Sequence, residues 1–230
     1  MYALKRCRSA AVQKRERAPL NPLLVNGNTK GLNLDKIGIE TNKRDQILVN
    51  RQYQTNIPNI YAVGDVIGFP SLASTSMDQG RVAVSHIFNT NDLDSLTKLF
   101  PFGIYTVPEV SCVGITEEEA IRDNIDYCTG RARYEDMPRG KIMGAKCGFL
   151  KLVFRKSDLV IIGVHIMGNI ATEIIHYGMS LVENKKDLSS VMSTVFNYPT
   201  LHDLYKYACY DGLGNLSGHK VKHFTKPVSS

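Results

Sequence analysis

The sequence predicts an α+β protein, an antiparallel sheet flanked by helices, preceded by a separate strand–loop–helix segment. Three observations carry that prediction. Three apolar runs, Tyr127 to Tyr134, Phe149 to Phe154 and Val160 to Met167, follow one another too closely for crossover helices, which leaves an antiparallel meander. Helical periodicity comes after them rather than between them. Much earlier, the compact apolar run Asn59 to Val63 stops abruptly at Gly64-Asp65, as a buried strand does on meeting a functional loop.

Taken in order, Leu23 to Val25 and Gln46 to Val49 read as short strands, with Asn42 to Asp45 as a turn. After Pro70, the stretch Ser74 to Phe88 spaces Met77, Arg81, Val84 and Phe88 as one face of an amphipathic helix, with Ser74 or Thr75 as its N-cap. The polar segment Asn89 to Ser95 is the expected domain boundary. Val110 to Val113 is a strand, and Thr116-Glu117-Glu118-Glu119 is a capping box opening a short helix. Beyond the meander, Ile170 to Val182 repeats Ile170, Ile174, Tyr177 and Leu181 at helical spacing, and further helices fit Leu188 to Met192 and Leu201 to Cys209.

Bulk properties exclude several classes. At 230 residues, 43% hydrophobic and 22% charged, the composition is that of a globular protein. No apolar run approaches the roughly 20 residues of a membrane span. Cys7, Cys112, Cys128, Cys147 and Cys209 form no CxxC and no metal spacing, so neither a disulfide framework nor a metal site is expected, and a reducing cytoplasm fits best. The net charge of +6 sits at the ends: the Arg-rich start before Pro19 carries +5 and the lysines after Gly218 carry +3, which leaves the body about −2. No nucleic-acid surface follows, and residues 1–19 and 218–230 read as disordered basic arms.

The sharpest motif is Thr55-Asn56-Ile57-Pro58-Asn59-Ile60-Tyr61-Ala62-Val63-Gly64-Asp65. A strand delivers a glycine, which lets backbone approach a ligand, and then a carboxylate that can accept hydrogen bonds from sugar-type hydroxyls. This run resembles the second FAD motif of the pyridine nucleotide-disulfide oxidoreductase superfamily. The resemblance implies that Asp65, with Gly64, holds the ribityl chain of FAD. It also places Leu72 and Ala73 beside the isoalloxazine, at the amino end of a helix whose dipole favours negative charge.

The second half extends the resemblance. Phe102-Gly103-Ile104-Tyr105-Thr106-Val107-Pro108-Glu109-Val110 is similar to the opening of that family's interface domain, which implies a homodimer. In Phe196-Asn197-Tyr198-Pro199-Thr200-Leu201-His202-Asp203, Tyr198 stands where dihydrolipoamide dehydrogenases and glutathione reductases carry a histidine base, and Asp203 where they carry its acid. A phenol with an ordinary pKa near 10 is a poor base at neutral pH. Hydride exchange between nicotinamides needs no such base, and the text resembles the soluble pyridine nucleotide transhydrogenases.

The implied activity is FAD-dependent hydride transfer between NADPH and NAD. The alternatives are a dihydrolipoamide dehydrogenase-like flavoprotein and a non-catalytic dimerisation fragment. The implied division is 20–95 as the end of a nicotinamide domain and the carboxyl-terminal part of an FAD domain, and 96–217 as a dimerisation domain. No GxGxxG fingerprint is present, so a carboxyl-terminal fragment with weakened FAD affinity is expected. His176 reads as a core or interface histidine, and His202 beside Asp203 lacks the nucleophile of a triad.

Overall fold

The computed structural model describes residues 26–90, 93, 95–97 and 99–218, and the strand expected at Leu23 to Val25, the first basic arm and the second beyond Gly218 lie outside them. The chain divides into two compact units, one ending at Lys98 and the other beginning at Leu99.

The first unit is mostly loop. Neither strand expected in it forms: Gln46 to Val49 contributes only the bridge Thr41–Ile47, and Asn59 to Val63 only the bridge Gln54–Tyr61. Asparagine side chains instead tie neighbouring backbone donors into local turns. Asn42 Oδ1 accepts from Arg44 N at 2.8 Å and Gln46 N at 3.2 Å, closing the expected turn. Asn50 Oδ1 does the same for Gln52 N and Gln54 N, both at 3.0 Å. The core here is small: Ile39, Ile47 and Ala62 are buried, with Val49, Ile57, Ile60 and Val66 packed around them.

One regular element follows, helix α1 (Ala73–Phe88). It starts before the expected cap, because the hydroxyls of Thr75 and Ser76 donate back to Leu72 O at 2.8 and 2.9 Å instead of capping from outside. Its buried side is not the apolar stripe the spacing suggested. Met77, Val84 and Phe88 are 62%, 52% and 71% exposed, while Thr75, Gln79, Val82, Ala83 and Ser85 are buried. Small and hydrogen-bonding side chains dock this helix. It ends at Asn89, which turns left-handed at φ 52°.

The second unit has the expected α+β architecture. Strands β1 (Phe102–Ile104), β2 (Glu109–Gly114), β3 (Tyr127–Arg133), β4 (Phe149–Arg155) and β5 (Ile161–Gly168) form one antiparallel sheet in the order β1-β2-β5-β4-β3. The β3-β4-β5 meander is as predicted, whereas the three-residue β1 is too short for its alternation to show in the sequence. Between strands lie helices α2 (Glu117–Arg122) and α3 (Pro138–Ile142); after them come α4 (Ala171–Glu183), α5 (Leu188–Ser193) and α6 (Asp203–Ser217).

Alternation along the strands builds the core. Leu150, Leu152 and Phe154 of β4 are fully buried with Val164 and Ile166 of β5, against Ala171, Ile174 and Ile175 of α4 and Leu204, Tyr205 and Ala208 of α6. Helix α6 runs on through Gly212, beyond the expected stop at Cys209, because its glycine permits a close crossing. A Cβ on Gly130 of β3 would lie 2.0 Å from Ala208 O and 2.6 Å from Gly212 N. Buried Asp211 on the same helix accepts the backbone N–H of Arg131 at 2.9 Å, which satisfies a donor on an edge strand. Helix α2 opens with the predicted capping box: Glu119 N donates to Thr116 Oγ1 at 3.1 Å, and Thr116 N to Glu119 Oε2 at 2.9 Å.

Candidate functional site

The predicted site residues fall in both units, Gly64, Asp65, Leu72 and Ala73 in the first and Tyr198 and Asp203 in the second.

In the first unit, Thr55 explains why the motif opens with a threonine. Buried to 6% exposure, its Oγ1 lies 3.1 and 3.0 Å from the carbonyls of Ile57 and Ile60 and accepts from Ile57 N at 3.1 Å. Pro58 lies inside the turn that this hydroxyl ties, and the chain leaves it through Ile60 towards Gly64. Tyr61 Oη then meets His86 Nδ1 of helix α1 at 2.7 Å.

Gly64 takes φ +80°, a conformation open to glycine at no steric cost, and a Cβ there would meet Ser76 Oγ at 3.2 Å. Its N–H donates to Oε1 of the buried Gln79 at 2.6 Å. Asp65 follows in the 3-10 turn Gly64–Ile67, closed by Gly68 N donating to Asp65 O at 3.0 Å. The Asp65 side chain is exposed, and among the described residues its carboxylate has no hydrogen-bond or ion-pair partner. Val66 O, by contrast, is taken by Ile47 N at 3.0 Å, so the turn is anchored while its carboxylate is left available.

Leu72 and Ala73 open helix α1 with no side-chain cap, so the first amides of that helix are left without side-chain acceptors. An available carboxylate on an anchored turn, and an uncapped helix start a few residues later in the chain, suit the polyol and the electron-rich ring edge of a flavin respectively. No feature among the described residues offers a glycine-rich cradle for a pyrophosphate.

In the second unit, Tyr198 precedes a cis peptide to Pro199 and is 74% exposed. Asp203 is half-buried in the first turn of α6, and no hydrogen bond joins it to Tyr198 among the described residues. The structure therefore does not pair them as base and orienting acid. Around them lies an aromatic cluster that sequence reasoning missed. Tyr177 packs edge-on to Phe196 and to Tyr205 at 5.3 and 4.9 Å between centroids, and His202 lies over Tyr205 at 6.3 Å, inclined by 20°. Burial pulls the His202 imidazole below its usual value, against the opposing charge of Asp203. Tyr177 and Tyr205 were readable as helical-spacing apolar positions, but Phe196 lies in a loop and carries no periodic signal. His176, expected in a core or an interface, is exposed on α4 and so is not a core residue of this unit.

Among the described residues no group of three or more His, Cys, Asp or Glu side chains is placed to hold a metal ion, and no helix is long and apolar enough to cross a membrane.

Comparison with known proteins adds the following. The model of the pyridine nucleotide-disulphide oxidoreductase dimerisation domain matches residues 100–209, and that of the pyridine nucleotide-disulphide oxidoreductase domain matches residues 25–80. A soluble pyridine nucleotide transhydrogenase of Mycobacterium tuberculosis (strain ATCC 25177 / H37Ra) is 45% identical over 190 residues, covering 83% of this chain and 40% of that protein. Its counterpart in Salmonella enteritidis is 42% identical over 193 residues, 83% of this chain and 41% of that protein. The chain thus spans about 40% of the length of these curated relatives. The crystal structure of LpdA from Mycobacterium tuberculosis superposes with a TM-score of 0.71 at 27% identity, over 80% of this chain and 40% of that one. The HOCl-induced flavoprotein disulfide reductase RclA of Escherichia coli, at 24% identity and a TM-score of 0.71 over 78% of this chain and 42% of that one, shares the fold.

Proposed function

The chain belongs to the pyridine nucleotide-disulphide oxidoreductase family, and from that premise we propose that it serves an FAD-dependent soluble transhydrogenase, moving hydride between NADPH and NAD. In this reading residues 20–95 supply part of the flavin site and 96–217 the dimer contact. When bound, FAD supplies a two-electron carrier that accepts hydride from one nicotinamide and passes it to another.

The observation that supports the flavin site is the unpartnered carboxylate of Asp65 on its anchored turn. Ionised, it is an acceptor only, suited to two hydroxyls of a ribityl chain. Leu72 and Ala73, at the uncapped start of α1, supply backbone donors and a weak positive potential for the flavin ring. Tyr198 supports the choice of reaction: an exposed phenol without an aligned carboxylate is no acceptor for thiol protons, and hydride exchange requires none.

For the homodimer, the family model of the second unit is that of a dimerisation domain, and the unit exposes Tyr105 at 81%, Val107 at 101% and Val195 at 91%. Such apolar exposure suits an isologous contact. A cytoplasmic setting fits the chemistry of its nicotinamide substrates.

A second reading, a dihydrolipoamide dehydrogenase-like flavoprotein, draws on the resemblance of the Tyr198 to Asp203 segment to those enzymes and is weighed down by Tyr198. The test is direct. The full chain is titrated with FAD and flavin fluorescence is followed; Asp65→Ala weakens binding if the carboxylate grips the ribityl chain. Unchanged affinity in that variant removes the flavin assignment. With FAD loaded, NADPH-dependent reduction of an NAD analogue without lipoamide turnover supports the transhydrogenase, and the reverse pattern supports the alternative. If sedimentation shows a monomer at micromolar concentration, the dimer reading goes.

A further inference from the structure

We infer that Gln79 is the positioning residue of the flavin hook: its carboxamide locks the Gly64-Asp65 turn so that the Asp65 carboxylate is presented in one direction. The inference rests on the reading of Asp65 given above.

The need for a lock comes from the turn itself. Gly64 sits at φ +80°, and glycine reaches many other conformations at little cost. A carboxylate hung from the next residue inherits that freedom. Gly64 N–H also begins the 3-10 turn, where no carbonyl of the turn can reach it. The residue is buried, so its donor must find a partner within the protein or lose a hydrogen bond that water would have made.

Gln79 meets that need from fifteen residues away. It lies in the second turn of α1, is 3% exposed, and its Oε1 takes the Gly64 N–H at 2.6 Å. Ser76, one turn earlier on the same face, closes over Gly64 from the side where a Cβ would be. The helix therefore reads the turn with one acceptor and one steric stop.

A neutral amide is well chosen for this place. It supplies the acceptor without burying an anion close to the exposed Asp65 carboxylate. The contrast with the other strap between these segments is informative. Tyr61 Oη and His86 Nδ1 also tie the motif to α1, at 2.7 Å, but His86 is exposed, so water can replace that bond. Only the Gln79 bond is both buried and adjacent to the carboxylate.

The affinity cost of a loose hook is entropic. A carboxylate that samples several directions must be ordered at the moment of binding, which weakens affinity without removing any contact.

The test uses the full chain, FAD as the probe, and two readouts. The first is FAD affinity by fluorescence titration, and the second is hydrogen exchange of the Gly64 amide by NMR, which needs no flavin. Gln79→Leu and the near-isosteric Gln79→Met should speed Gly64 exchange by about 10-fold or more and weaken FAD binding by about 10-fold, the scale of a buried donor stripped of its acceptor. Gln79→Glu, which retains an acceptor oxygen in either protonation state, should return Gly64 exchange to within about 3-fold of the parent, whatever its added charge does to FAD affinity. His86→Ala should shift neither by more than about 3-fold, as expected for an exposed bond. Asp65→Ala should weaken FAD while leaving Gly64 protected.

The outcomes separate cleanly. If Asp65→Ala weakens FAD but Gln79→Leu and Gln79→Met leave affinity or Gly64 exchange at the parental level, the positioning role is overturned and the flavin reading stands. Gly64 exchange that Gln79→Glu does not slow again also overturns it, since the role then belongs to the whole side chain as packing. If Asp65→Ala binds FAD as the parent does, or the parent binds none, the flavin reading falls and takes the hook with it, whatever Gly64 exchange shows.

Discussion

The two units divide stability and chemistry between them. The second unit buries a continuous core from five strands and its helices, with Leu150, Leu152, Phe154, Leu204 and Tyr205 all fully shielded. The first unit has three buried apolar residues in its cluster, and side-chain to backbone bonds from Asn42, Asn50, Thr55 and Gln79 tie its loops alongside backbone bonds. A hydrogen bond made on folding replaces one made to water and contributes about 1 kcal/mol, whereas a buried leucine side chain contributes about 2 to 3. The second unit therefore carries the larger core, and the first is a weakly cored unit that includes Asp65.

The largest effect that would break this contrast is a core deletion. Leu152→Ala, fully buried at the centre of the sheet, should lower unfolding free energy by about 3 kcal/mol in urea titration followed by circular dichroism. Ile47→Ala, in the small cluster of the first unit, should cost less, because its cavity opens onto solvent and can collapse. Equal losses would show the two cores to be equally tight.

Next comes Tyr205→Phe. The Tyr205 hydroxyl donates to Ile174 O at 2.7 Å and accepts from Gly178 N at 3.0 Å, joining α6 to the middle of α4. Burial drives its pKa far up, so it works as a neutral donor throughout the physiological range. Removing the oxygen deletes both bonds but leaves Gly178 N–H and Ile174 O as i, i−4 partners within the helix, so it should cost about 1 kcal/mol. A neutral result would mean that the helical bond alone satisfies both groups.

Thr116→Ala tests a local term of similar size. It removes one half of the capping box and should cost about 1 kcal/mol, partly restored by Ser at the same place.

How far each unit was legible in the sequence follows from the same division. Strands β3, β4 and β5 match their expected bounds to within a residue or two because alternation is forced where one face is a core. The capping box was readable because its donors and acceptors lie three residues apart. In the first unit the expected strands at Gln46 and Asn59 are absent: their amides Ile47, Leu48, Ile60 and Ala62 pair with scattered carbonyls rather than along one ladder. The face of α1 was misassigned for a related reason. Its docking is set by Gln79 reaching back to Gly64, a contact across fifteen residues that no periodicity encodes. Gly64 and Asp65 do lie in the loop the motif called for, although the strand expected before them does not form.

At neutral pH a smaller effect still is expected from His165, half-buried on β5, with Cys112 of β2 and Lys151 of β4 as its cross-strand partners and its Nε2 3.1 Å from Ile115 O. Burial first, and then the Lys151 ammonium, hold its imidazole below the usual value, against the pull of Glu117 and Glu118. The unfolded chain then binds a proton that the folded chain refuses. Stability should be complete above about pH 6.5 and fall as pH drops through the window between the unfolded and the lower folded pKa. His165→Asn should flatten that acid slope in urea midpoints measured between pH 7 and 5, and an unchanged slope would place the acid sensitivity elsewhere.

The smallest stability effect should come from the residue with the largest functional one. Asp65 is exposed, and its carboxylate supports nothing in the fold among the described residues, so Asp65→Ala should change unfolding free energy by less than about 0.5 kcal/mol. A side chain that the fold does not use, on a turn that a buried glutamine and a left-handed glycine hold in place, is free for the flavin contact proposed above. If Asp65→Ala instead melted the first unit, the carboxylate would be a structural cap for the Gly64–Ile67 turn, and the contrast between the two units would fail at the residue where it is drawn most sharply.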